Sequence, residues 1–238
     1  MSKIYIIIPT YNEKANIAKL IEQIFSLAIS GLTVLVVDDN SPDGTGGTVE
    51  RLKQNNPYLD VLHRLKKEGL GTAYVAGFKE ALAGGADYIF EMDADFSHNP
   101  KYLPDFLAAI KDYDLVLGSR YIAGGGTSNW NLARRLISRF GNIYARVILG
   151  LPILDLTGGF KCYRRAVLEK ISLDNLSSVG YNFQIETTYK AYQAGFQIRE
   201  IPIVFAERAG GQSKFNLKII LESFWQVLRL RLSRKKLD

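Results

Sequence analysis

A chain of 238 residues, 47% hydrophobic and 23% charged, is long enough for one well-buried α/β domain and leaves little for a second. Its single cysteine, Cys162, excludes an internal disulfide and fits a reducing compartment. The net charge of +6 is modest, but basic residues crowd 134–146 and 229–236, which points to an anionic partner such as phosphate, lipid headgroups or nucleic acid.

Ile4 to Ile8 is an apolar run without alternation, the pattern of a strand covered on both faces. Between Lys3 and Pro9 it is too short for a signal peptide, and no later run approaches the roughly 18 apolar residues of a spanning helix. Pro9-Thr10-Tyr11-Asn12-Glu13 breaks the strand, and Ile17, Leu20, Ile21, Ile24 and Phe25 then keep helical spacing to Gly31. Thr33 to Val37 predicts a second strand ending in Asp38-Asp39-Asn40-Ser41-Pro42-Asp43-Gly44, followed by a helix near 45–54 and a third strand from Leu59 to His63. Gly69-Leu70-Gly71 opens a helix to about Ala83, and Asp87 to Met92 is a fourth strand. Residues 101–111 read as helix and Leu115 to Gly118 as a fifth strand. Beyond the glycine run 124–126 come a helix from Asn131 to Leu149, a turn 155–160 into a short strand, a helix from Tyr181 to Ala194, a strand from Phe196 to Phe205 and a last helix from near Asn216. Strands alternating with helices predict a mostly parallel sheet with helices on both faces.

In such sheets the ligand lies beyond the carboxyl ends of the strands, and the unusual residues sit there: 9–13, 38–44, 93–97 and Ser119-Arg120-Tyr121. The sharpest of these clusters is Asp93-Ala94-Asp95-Phe96-Ser97-His98-Asn99-Pro100. In an extended segment Asp93 and Asp95 face the same way, and the two charges repel unless a cation or hydrogen-bond donors separate them. Asn99 reads as a helix cap and Pro100 as the first helical position. His63 and His98 are expected to be structural. No Gly-x-Gly-x-x-Gly follows the first strand and Gly-Lys-Ser/Thr is absent, which excludes a dinucleotide-binding fingerprint and a P-loop. Nor does the first strand lead into the basic, glycine-rich loop of sugar nucleotidyltransferases.

The ordered set Pro9–Glu13, Val37–Thr45, Gly69–Tyr74, Asp93–His98, Gly118–Tyr121, Asp155–Phe160 and Arg208–Lys214 resembles the dolichyl-phosphate mannose synthases, within the family 2 glycosyltransferases of GT-A fold, over nearly the whole chain. The resemblance implies a GT-A domain over 1–215, a C-terminal amphipathic helix over 216–238, and transfer of mannose from GDP-mannose to dolichyl or another polyprenyl phosphate. It implies that Pro9, Tyr11, Glu13, Val37 and Asp39 hold the nucleoside. Asp93, Ala94 and Asp95 would meet the ribose and diphosphate, with Asp95 and Ser97 on Mg2+ or Mn2+. Arg120, Arg208 and Lys214 would contact the diphosphate and acceptor phosphate, joined by Arg134. The basic helix 131–149 reads either as a surface helix with solvated arginines or as a helix beside the lipid entrance, with Arg134 and Arg135 near the phosphate.

A departing diphosphate is stabilised by a metal and by cations, without proton transfer. An acceptor phosphate, with second pKa about 6, is already a nucleophile at neutral pH. A hydroxyl acceptor would instead need a base, for which Asp155 is the spare carboxylate; as a turn-former or a cap for Thr157 it has a simpler role. A UDP-sugar donor with undecaprenyl phosphate keeps the same chemistry, whereas a non-catalytic membrane or nucleic-acid adaptor would not explain the acidic pair. The final helix is apolar apart from a stripe at Lys218, Glu222, Gln226, Arg229, Ser233 and Lys236. It is expected to be buried, packed on a partner or laid in a membrane interface. Together these readings place the protein on the cytosolic face of a membrane, peripherally or through a separate anchoring subunit, with no nucleic-acid partner.

Overall fold

The computed structural model describes residues 2–176, 178, 180–207 and 217–232. Its strands are β1 (Ile4–Thr10), β2 (Leu32–Asp38), β3 (Leu59–His63), β4 (Tyr88–Glu91), β5 (Leu115–Ser119), β6 (Gly126–Thr127), β7 (Lys161–Arg164), β8 (Ile198–Pro202) and β9 (Val204–Phe205). Its helices are α1 (Lys14–Ser26), α2 (Thr45–Lys53), α3 (Leu70–Ala83), α4 (Leu103–Ala109), α5 (Leu132–Leu149), α6 (Arg165–Lys170), α7 (Tyr181–Gln193) and α8 (Leu217–Leu232).

Seven strands form one sheet in the order β3-β2-β1-β4-β7-β5-β8. All neighbours run parallel except β7, which lies antiparallel between β4 and β5. The unalternating first run is explained by burial on both faces: Ile6 and Ile8 join Ile17, Leu20 and Phe106 in one layer, while Ile7 joins Tyr74, Phe78 and Phe183 in the other. Helix α3 lies so close to β1 that a Cβ on Gly77 would stand 2.3 Å from Ile7 Cγ2.

Two expectations need correction, and one helix goes unmarked in the sequence. The stretch 196–205 is two strands rather than one, because β9 leaves the main sheet to pair with β6. Helix α6, only six residues long, carries too short a pattern to be seen in the sequence. Strand β4 ends at Glu91, so Asp93 and Asp95 belong to a loop and not to an extended segment.

Helix α8 packs on the domain. Val227 is buried, Tyr144 Oη donates to the Phe224 carbonyl at 3.1 Å, and Asn182 Nδ2 donates to Ser223 Oγ at 3.2 Å, which ties α8 to α5 and α7. Gln226, read as part of a polar stripe, turns a buried oxygen inward, while Trp225 is exposed. Ser233 and Lys236 lie outside the described residues. No described helix is long and apolar enough to cross a membrane.

Candidate active site

After β1 the chain moves to β2 and β3 on one side, and β4 pairs with β1 on the other, so the carboxyl ends of β1 and β4 flank a topological switch point. The loops that bear the unusual residues open there. The loop after β1 is tied to the loop after β2 by backbone N–H groups of Asn12, Glu13 and Lys14, which donate to Ser41 Oγ (3.1 Å), Thr45 Oγ1 (3.0 Å) and Asp43 Oδ2 (3.0 Å). Tyr11 stands at the surface with Lys67 Nζ 3.5 Å from its ring centroid. Asp39 is buried and accepts from Arg64 Nη1 at 2.6 Å; burial raises its pKa, against the opposing pull of Arg64. Arg64 also bonds Glu68 and Thr72. Neither Arg64 nor Lys67 stood out in the sequence, because each lies in an ordinary charged turn. Val37 and Ala94 have buried side chains, so only their backbones are placed to meet a ligand. Pro9 is half-buried in β1, and Glu13 accepts from Asn16 Nδ2 at 2.8 Å.

The acidic loop is held from beneath. Tyr74 Oη donates to Asp93 Oδ1 at 3.0 Å, and burial with the Asp93 charge pushes the Tyr74 pKa well up, so it remains a donor. His98 is buried, stacked on Phe160 with ring centroids 5.0 Å apart, and its Nδ1 accepts the Asp93 N–H at 3.0 Å. The structural reading of His98 therefore holds, and its structural task is to shape the acidic loop. Asp95 Oδ1 accepts the Ser97 N–H at 3.0 Å, and Phe96 between them sits at φ 62°, a left-handed conformation costly for an aromatic residue. Asn99 Oδ1 caps the following turn through the Lys101 N–H, with Pro100 at its first position, as expected.

The donor set suits a hard cation. Asp95 supplies a carboxylate, and Ser97 Oγ is buried with no hydrogen-bond partner among the described residues, an orphan that a cation or its water would satisfy. No group of three or more His, Cys, Asp or Glu gathers among the described residues, so an ion here would draw further oxygens from its ligand.

Arg120 lies across an aromatic wall from this loop. Its guanidinium carbon is 5.4 Å from the Phe205 ring centroid, and His98 meets the same ring edge-on at 5.4 Å. Trp130 completes the wall, 5.5 Å from Phe205, with Arg134 over its face at 4.0 Å and its own buried Nε1 unpartnered among the described residues. Arg134 also pairs with Glu207 at 3.4 Å. Arg135, next to it in α5, is exposed. Arg208 and Lys214 lie outside the described residues.

Asp155 is neither a turn-former nor a free base. It is fully buried and accepts from Arg120 at both oxygens: Nε and the backbone N–H reach Oδ2 at 2.7 and 2.9 Å, and Nη2 reaches Oδ1 at 2.6 Å. Gly158 makes room for this closeness, since a Cβ there would stand 3.1 Å from the Gly118 carbonyl. Arg120 Nη2 also donates to Thr157 Oγ1 at 2.8 Å.

Beneath the site lies a buried pair. Tyr163 Oη donates to Glu91 Oε1 at 2.7 Å, and Lys161 Nζ donates to the Gln184 carbonyl at 2.7 Å and to Thr187 Oγ1 at 3.1 Å. Burial raises the Glu91 pKa and lowers that of Lys161 to about 8. An unfolded Lys161 holds its proton to 10.5, so its contribution is greatest above that pH and is lost as pH falls through about 8. Lys161→Met is accordingly expected to cost less stability at pH 7 than at pH 10, read as the change in urea midpoint against wild type; an equal cost at both would contradict the shift.

Residues 5–172 match the family model described as glycosyl transferase family 2. The chain belongs to that family. It is 42% identical over 233 residues to the undecaprenyl-phosphate mannosyltransferase of Micrococcus luteus, covering 98% of this chain and 96% of that protein. It is 44% identical over 237 residues to the polyprenol monophosphomannose synthase of Mycolicibacterium smegmatis, covering 97% and 89%. A glucosyl-3-phosphoglycerate synthase from Mycobacterium tuberculosis, solved with Mn2+, UDP and its product, matches with TM-score 0.68 at 20% identity, covering 98% of this chain and 80% of that one. A mannosyltransferase from Pyrobaculum calidifontis, solved with GDP-Man and Mn2+, matches with TM-score 0.62 at 18% identity, covering 97% and 73%. The family 2 fold is of GT-A type, as the ordered motifs implied, and the polar rim opens at the carboxyl ends of its strands.

Proposed function

We propose that this mannosyltransferase moves mannose from GDP-mannose to a polyprenyl phosphate, with inversion, at the cytosolic face of a membrane. A phosphate oxygen of the acceptor attacks the anomeric carbon, the bond from that carbon to the diphosphate oxygen breaks, and its electron pair leaves on GDP. Nucleophile and leaving group are then both phosphates, so cations rather than a base are the first requirement. The observation that carries this reading is the double engagement of Asp155 by Arg120, which withdraws the carboxylate a hydroxyl acceptor would have used. The names of the two relatives above 40% identity favour the same acceptor class and sugar.

In this reading Pro9, Tyr11, Glu13, the Val37 backbone and Asp39 bind the nucleoside, and Asp93 and the Ala94 backbone bind the ribose and diphosphate. Asp95 and Ser97 hold Mg2+ or Mn2+, which when bound neutralises charge on the diphosphate. Arg120, paired with Asp155, lines the far wall and turns toward the diphosphate, Arg134 faces the acceptor phosphate beside Trp130, and Arg208 and Lys214 add charge from the stretch outside the described residues. His98 and Tyr74 hold Asp93 in place for its ligand.

Radiolabelled GDP-mannose, UDP-glucose and UDP-N-acetylglucosamine offered with dolichyl and undecaprenyl phosphates test the proposal. Label should pass into the organic phase from GDP-mannose and require a polyprenyl phosphate. Transfer only from a UDP-sugar, or to a free polyprenol as readily as to its phosphate, would overturn it.

A further inference from the structure

The segment between α5 and β7 carries a chain of hydrogen bonds whose donors and acceptors are fixed from one end to the other. It starts at the backbone. The N–H groups of Leu156 and Thr157 both donate to Asn142 Oδ1, at 2.7 and 3.1 Å. Two donors on one atom settle which end of the amide is the oxygen, so Asn142 turns its Nδ2 the other way. There Nδ2 donates to the Ser138 carbonyl at 2.9 Å and to Thr157 Oγ1 at 3.0 Å. Arg120 Nη2, which cannot accept, donates to the same Oγ1 at 2.8 Å.

A hydroxyl oxygen offers two lone pairs and one hydrogen. Both lone pairs of Thr157 Oγ1 are taken, so its hydrogen points away from Arg120 and Asn142 and is left to donate. No acceptor for it lies among the described residues. A threonine that only braced a neighbour would commonly give its hydrogen to a nearby backbone carbonyl, and no such bond forms here. Exposure shows which way is open: Asn142, Asp155 and Arg120 are buried, whereas Thr157 is partly exposed. Its hydroxyl is therefore where this sealed network meets the site.

The surroundings select the partner. Arg120 stands against Oγ1, and Trp130 lies 5.5 Å from the Arg120 guanidinium with Arg134 over its face at 4.0 Å. A donor hydrogen beside two guanidinium groups suits an oxygen that is negative and accepts without donating, and repels a metal ion. The bond from Arg120 also polarises the hydroxyl and strengthens its own donation. We propose that Thr157 donates its hydroxyl hydrogen to a phosphate oxygen of the bound substrates, with Asn142 as the positioning residue that fixes its direction. The contact rests on the mannosyl-transfer reading for the source of that oxygen, which is the departing diphosphate or the acceptor phosphate.

Calorimetric titration of the full chain tests the contact, with GDP and Mn2+ in one arm and a short, water-soluble isoprenyl phosphate in the other. Thr157→Val should weaken one of the two at least about tenfold, and the arm affected names the source. Thr157→Ser should restore most of the affinity. The valine variant should fold, because Arg120 Nη2 keeps Asp155 Oδ1 at 2.6 Å and Asn142 Nδ2 keeps the Ser138 carbonyl. Unchanged affinity in both arms would overturn the proposal. Adding Thr157→Val to the Arg120→Met/Asp155→Leu pair separates direct contact from mere support of the guanidinium. A further loss of at least about threefold in GDP affinity or in single-turnover rate is expected there. No further loss would mean that Thr157 acts only by steadying Arg120, and would overturn the proposal as well. Wild type that binds UDP in place of GDP, or that transfers no mannose, would count against the proposed reaction. The valine variant's loss of nucleoside diphosphate affinity would then still establish the phosphate contact.

Discussion

Asp95→Asn is expected to lower turnover at least about a thousandfold while leaving the melting temperature within a few degrees of wild type. The two effects separate because Asp95 does two things. Its Oδ1 accepts the Ser97 N–H at 3.0 Å, a bond that asparagine can keep, so the strained turn at Phe96 survives. What asparagine cannot supply is a full negative charge to hold a divalent cation beside a diphosphate. Titration of Mn2+ into each protein with GDP present, followed by the paramagnetic signal of the free ion, should show weakened uptake in the variant. Asp95→Ala should be as inactive and less stable, having lost the turn bond as well. Retention of more than a tenth of wild-type turnover by Asp95→Asn would end the assignment of Asp95 to the metal.

Much of the fold could be read from runs such as Ile4–Ile8 and Leu115–Gly118, because a strand buried on both faces shows itself as an unbroken apolar segment. The acidic loop was equally legible, since polar clusters gathered at several strand ends mark the rim where such sheets bind ligands. Pairings distant in sequence were hidden. Asp155 lies 35 residues from Arg120, and nothing local shows that a carboxylate before Thr157 neutralises an arginine after β5. The insertion of β7 between β4 and β5 was hidden for a related reason: four residues, Lys161–Arg164, specify neither partner nor direction. Helix α5 shows a different limit. Hydrophobic periodicity marks a stripe but does not say which way it faces, and here Asn142, Ala145 and Leu149 fix the inward side while Leu132 and Leu136 face out. The His98 and Tyr74 supports of Asp93 depend on tertiary contacts that a lone histidine or an aromatic in α3 does not announce.

The second large effect is expected at the pair Arg120 and Asp155. Removing Asp155 by Asp155→Ala leaves a guanidinium that is nearly sealed from water without its counter-charge, a loss of about 3–5 kcal/mol. In a chain of this size that corresponds to a fall in melting temperature of roughly 10 °C. The turn itself should persist, because the Leu154 and Asp155 backbone N–H groups are held by Glu200 at 2.9 Å each and the next two by Asn142. Replacing both partners, Arg120→Met with Asp155→Leu, removes both buried charges together and should recover most of the lost stability. Turnover provides the distinction. If Arg120 places positive charge on the wall facing the diphosphate, the double variant folds well and still transfers mannose at least about a hundredfold more slowly than wild type. If instead the pair only braces the turn before β7, recovered stability brings recovered turnover, and the catalytic assignment of Arg120 fails. An Asp155 that served as a general base predicts a third pattern, in which Asp155→Asn abolishes transfer to a hydroxyl acceptor while leaving transfer to a phosphate acceptor intact. The occupation of both Asp155 oxygens by Arg120 argues against that pattern: each oxygen already accepts a guanidinium N–H, and the carboxylate is fully buried, out of reach of a substrate hydroxyl.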